Sequence, residues 1–111
     1  MIRVGWEHEE AVALYSLYIV CGYPIPKERL SRLSYVLNIR AEKLGIKKDE
    51  KFRNLSGLNM QSACIHYIVT KGRSGLSSQN RLFNQIDVLY NNDREKFDVI
   101  LKDFVDKYGD I

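Results

Sequence analysis

Apolar residues recur along this chain at intervals of three and four, and nowhere do they alternate over the length of a strand. The first run, Ala11, Leu14, Tyr15, Tyr18 and Cys21, is opened by Trp6 and the acids of Glu7-His8-Glu9-Glu10, which suit the positive end of a helix dipole. It stops at Gly22. Leu17, Ile19 and Val20 fill its remaining faces, so this helix is expected to be contacted on more than one side. Gly22-Tyr23-Pro24-Ile25-Pro26 is a rigid loop, with Pro26 fitted to the first turn of the next helix. The second region starts near Lys27, carries Leu30, Leu33, Leu37, Ala41 and Leu44 on one stripe and ends at Gly45. Asn38 is a candidate cap within it, which leaves one helix or two open.

A third helix follows Asn54 or Ser56, either of which can cap it. Leu58, Ser62, Ile65 and Val69 share one stripe, and Met60, Ala63, Cys64, Tyr67 and Ile68 lie on neighbouring faces. Most of its surface is therefore expected to be buried, with the other elements wrapped around it. Gly72-Arg73-Ser74-Gly75-Leu76-Ser77-Ser78 reads as the most flexible loop, and Ser77 or Ser78 as the cap of a fourth helix with Leu82, Phe83, Ile86, Leu89 and Tyr90 inward. Asp93 caps a fifth, whose stripe of Phe97, Ile100, Leu101, Phe104, Val105 and Tyr108 is the cleanest in the chain. The pattern predicts an all-α fold, one compact domain of five to six helices over residues 1–111.

Composition adds limits. At 45% apolar and 28% charged, 111 residues make an ordinary soluble domain with its own core. No apolar run approaches the roughly 18 residues of a membrane span, and the start lacks the apolar core of a signal peptide. A cytoplasmic setting without membrane contact is expected, with Cys21 and Cys64 as two buried, reduced thiols.

A net charge of +3 says little, but its distribution says more. Residues 27–53 hold nine bases, Lys27, Arg29, Arg32, Arg40, Lys43, Lys47, Lys48, Lys51 and Arg53, against Glu28, Glu42, Asp49 and Glu50. Lys71, Arg73 and Arg81 follow with no acid between them, whereas residues 82–111 hold seven acids against four bases. If the two basic segments adjoin at the start of the third helix, one face is strongly positive and the C-terminal helices oppose it.

Catalytic and metal chemistry is poorly supplied. Glu9 and Glu10 diverge by about 100° on a helix, Cys64 and His66 point to different faces, and no C-x-x-C or H-E-x-x-H occurs. Neither an enzyme nor a cofactor is expected. Phosphate recognition is better supplied: Arg53, Lys71, Arg73 and Arg81 bring cations, and Asn54, Gln79 and Asn80 bring donors. Asn59 and Gln61 are candidates for adenine edges if their helix enters a groove. Against this, Arg53 and Asn54 serve equally well as an internal clamp and cap, and Trp6, Tyr15, Tyr18 and Tyr67 are read as core or core-edge residues.

The order Trp6-x-x-Glu9-Glu10, Leu14-Tyr15, Leu17-Tyr18, Leu30-x-x-Leu33-Ser34, Phe52-Arg53-Asn54-x-x-Gly57 and Met60 resembles the N-terminal head domain of McrA-like HNH restriction endonucleases over about residues 6–70. Leu55 and Ser56 stand where that family has proline and asparagine, and Gln61, Cys64 and Ile65 where it tends to have lysine, asparagine and phenylalanine. The resemblance implies a DNA-binding accessory module of a restriction or defence system, engaging double-stranded DNA without nuclease chemistry. The alternative is a protein-binding module: an anti-defence inhibitor of a defence-system protein, or a homodimerising head.

Overall fold

Five helices organise residues 4–77 and 80–111, the parts of the chain that the computed structural model describes: α1 His8–Cys21, α2 Lys27–Lys43, α3 Leu55–Val69, α4 Arg81–Asn92 and α5 Arg94–Tyr108. There is no strand among the described residues, and the fold is all-α. Each helix from α2 to α5 packs against its neighbour in chain order, and α5 returns to α2, so these four close a ring. α1 touches all four. The axis of the domain is therefore α1 and not α3.

The reason lies in side-chain chemistry. From Glu10 to Tyr18 every residue of α1 is buried, and only Glu10 is charged. Full burial of a side chain such as Leu14 or Leu17 contributes about 1.5–3 kcal/mol, and a helix apolar all round gains this only when enclosed. α3, by contrast, leaves Asn59 and Met60 in solvent and buries Leu58, Ser62, Ala63, Cys64 and Ile65. Its burial is one-sided. Phe83 and Ile86 of α4 and Phe97 and Phe104 of α5 complete the core around Tyr15, whose ring meets Tyr90 at 5.2 Å and Phe97 at 5.8 Å. Tyr15 and Tyr18 are buried, Trp6 and Tyr67 half-buried. Both cysteines are free, Cys64 buried but Cys21 only half-buried at the end of α1.

Residues 27–43 form one helix. Asn38 does not cap, because its carboxamide donates to Ser34 O at 2.8 Å and reaches Phe52 O at 3.4 Å, tying α2 to the loop before α3. Asn54 rather than Ser56 caps α3, accepting from the Gly57 amide at 2.8 Å. α4 starts later than the serines suggest: Asn80 caps it, accepting from the Phe83 amide at 3.2 Å. Ser77 lies outside the helix, and Ser78 outside the described residues. Asp93 caps α5 through the Lys96 amide.

The glycine loop after α3 folds back on its own helix. The Leu76 amide donates to Ala63 O at 3.1 Å, and Thr70 Oγ1 exchanges hydrogen bonds with the backbone of Ser74. Gly75 makes this approach feasible: its φ is +100°, and a Cβ there would stand 2.5 Å from Ala63 O. Gly75→Ala is expected to cost roughly 1–3 kcal/mol, the range for a strained backbone position. The Leu76 amide should lose its protection at the same time. Urea denaturation and hydrogen exchange check both, and a variant with wild-type stability and exchange at Leu76 contradicts the docking.

Candidate nucleic-acid interface

The two basic segments do not meet at the start of α3: Arg53 precedes it, whereas Lys71 and Arg73 follow its last turn, about 20 Å away at 1.5 Å per residue. α2 and α4 make no contact across the domain. At the N-terminal end Arg53 is turned inward. Its Nε donates to Glu10 Oε2 at 2.9 Å and its Nη2 to Glu10 Oε1 at 3.0 Å, with further bonds to Val4 O and Gly5 O. The guanidinium lies 4.4 Å from the ring centroids of both Trp6 and Phe52, and the Arg53 carbonyl accepts from Ser34 Oγ at 2.7 Å. Side-chain exposure is 7% for Arg53 and 1% for Glu10. The internal clamp is thus the arrangement present: four of the five N–H donors of Arg53 are used within the molecule and its side chain is buried.

Arg40 approaches the same carboxylate from α2, its Nη1 at 3.7 Å from Glu10 Oε1, while Nε bonds Glu9 and Nη2 lies 3.1 Å from Glu7. Burial opposes charge on this guanidinium, but the bond to Glu9, the nearby Glu10 and the bond to Glu7 outweigh it, and its pKa is raised. Much of the rest of the basic segment is also committed. Arg29 and Arg32 reach Ile111 O and Asp110 O, Lys43 donates to Lys107 O, and Lys48 pairs with Glu42. The expected acidic counter-face on α5 is neutralised within the helix by Arg94 with Asp98, Lys102 with Asp106 and Lys107 with Asp103.

The α3–α4 connection differs. Lys71, Arg73 and Arg81 are all exposed, and none pairs with a carboxylate among the described residues. Asn80 approaches Gln61 at 3.5 Å, so Arg81 starts α4 beside the middle of α3. Asn59 is not part of this surface. It diverges from Gln61 by about 200° around the helix and lines a separate shallow cleft with Ile25, Lys27 and Leu30. The two amides therefore cannot read one base together. Asn54 caps α3 through Oδ1 at the other end of that helix, and Gln79 falls outside the described residues.

Beside Lys71 lies a cleft of about 340 Å³ lined by Tyr67, Ile68, Lys71, Gly72, Asn84 and Asp87. Asp87 Oδ1 accepts from the buried Tyr15 hydroxyl at 2.6 Å and Asn84 Nδ2 donates to Asn80 O at 2.8 Å. Sequence reasoning missed Asn84 and Asp87, although with Asn91 they repeat at three and four along the polar side of α4. Among the described residues no group of three His, Cys, Asp or Glu side chains could hold a metal ion, and no helix is long and apolar enough to cross a membrane. No family model, curated protein or solved structure matches the chain.

Two outcomes follow from these buried groups. Glu10→Ala removes the carboxylate shared by two guanidinium groups and is expected to cost about 3–5 kcal/mol, as for breaking other buried pairs; urea titration measures it, and a loss near zero contradicts the clamp. Burial, then the bond to Asp87 and that residue's charge, hold the Tyr15 phenol protonated well above its ordinary 10.0. Above pH 10 the unfolded chain therefore binds fewer protons than the folded one, and stability falls as pH rises from there. Tyr15→Phe should flatten that alkaline decline in urea midpoints taken across the range.

Proposed function

We propose that this chain is a non-enzymatic DNA-binding accessory module of a restriction or defence system, acting in the cytoplasm and gripping the phosphate backbone through the α3–α4 connection. The observation that carries the reading is the contrast in charge use. Arg40, Arg53 and most other cations of residues 27–53 are bound internally, whereas Lys71, Arg73 and Arg81 remain exposed and unpaired among the described residues. Unpaired cations on a docked loop release condensed counterions when they meet phosphates, at little further ordering cost. The resemblance of residues 6–70 to McrA-like head domains supports the same class. Arg53, Asn54 and Asn59 have no part in this surface; Gln61 borders it.

One observation favours a protein partner instead. Val20 is 73% and Ile19 39% exposed at the end of α1, beside a groove formed with Leu101 and Val105 of α5. An apolar strip of that kind suits a second copy or a defence-system protein. Light scattering separates the readings, since a stable dimer without nucleic acid favours the strip.

Three phosphate contacts give a salt slope of roughly −2.7, at about −0.9 per contact. Arg73→Ala combined with Arg81→Ala should weaken DNA binding to a similar extent for every sequence and reduce that slope to roughly −0.9. Fluorescence anisotropy over a salt series is the measurement. Equal retention of DNA by the double variant and the wild type at low salt ends the proposal.

A further inference from the structure

The cleft beside Lys71 carries chemistry that phosphate contact does not use. Its α3 side is made by the Tyr67 ring, Ile68 and the backbone of Gly72, and its mouth holds Lys71, which pairs with no carboxylate among the described residues. On the α4 side stand two acceptors. Asp87 takes its hydrogen bonds from Tyr15 and Asn91 on Oδ1, leaving Oδ2 with none among the described residues. Asn84 donates through Nδ2, leaving Oδ1 as an acceptor.

A phosphate does not suit the interior, because the Asp87 carboxylate repels it. A flat ring with hydrogen-bond donors on its edge does suit it, provided an anion follows at the mouth for Lys71. That combination is a nucleotide whose base bears an exocyclic amino group, and at about 340 Å³ the cleft is in the size range of small-molecule sites. Resting on the DNA-binding reading, we infer that this cleft receives one unpaired, amino-bearing base of the bound strand, with cytosine the best match. A carboxylate accepts from cytosine N4, the ring lies against Tyr67, and Lys71 meets the adjoining phosphate. In a duplex both faces of the base are stacked on its neighbours, so the base must be extruded for its ring to lie against Tyr67.

The test uses the full chain with labelled oligo(dC), oligo(dT) and a duplex, read by anisotropy at low salt. The expected result is oligo(dC) bound roughly tenfold tighter than oligo(dT), the discrimination typical of a good base-edge contact. Asp87→Asn should abolish that preference while keeping an Oδ1 acceptor for Tyr15, with a thermal melt to show that it folds. The exposed Asn84→Ala is the second variant, and it should reduce the preference too. Equal binding of oligo(dC) and oligo(dT) by the wild type, or a preference that survives both variants, overturns the base site and leaves the phosphate reading standing. Failure to bind any of the three nucleic acids overturns both.

Discussion

A single buried carboxylate joins most of what is distinctive here. Glu10 sits in the first turn of α1, accepts the Glu7 amide at 3.0 Å, and faces Arg53 from the loop before α3 and Arg40 from α2. Taken out of water alone, any of these charges would be prohibitively costly; together, with the aromatic faces of Trp6 and Phe52 and the carbonyls of Val4 and Gly5, they offset one another, although Arg40 Nη1 is left buried without a hydrogen-bond partner among the described residues. The geometry is directional in a way that apolar packing is not. It fixes how far α1 is inserted between its neighbours and holds Arg53 at a φ of +48°, a conformation that its fixed partners must sustain.

This arrangement redistributes the charge that a linear reading counts as free. Cations in residues 27–53 outnumber acids in sequence, but several serve as struts between α2, α5 and the start of α1, and α5 cancels its own charges one turn apart. Along the α3–α4 connection, by contrast, Lys71, Arg73 and Arg81 all stay exposed without a carboxylate partner among the described residues. A net charge near neutrality is then compatible with one locally positive region, because the rest of the surface contributes little field.

The helices of the second half were legible because their stripes are sharp: Phe97, Phe104 and their neighbours repeat on one side with charges on the other. The position of α1 was harder. A helix buried all round has no polar face to contrast, so its sequence announces that it is enclosed without saying by what, and the long apolar stretch of α3 competed for the centre. A clamp was one of the two legible roles for Arg53, but its partner was not legible, since Glu10 lies 43 positions away and nothing local marks the pair. Caps were legible to within a few residues, with Asn80 winning over the serines because it lies immediately before the first turn of α4. The cleft escaped because the Asn84 and Asp87 side chains read as ordinary solvated positions until α3 and its returning loop were placed beside them.

Because α1 is in contact with all four surrounding helices, no subset of the ring has a core of its own. Removing any member uncovers part of the most apolar segment in the chain. Sub-global opening is therefore penalised nearly as heavily as complete unfolding, which makes the domain cooperative despite its small size. In a cell, a protease would find few partly open forms to cut, and the protein's lifetime would follow the rare event in which α1 is released whole.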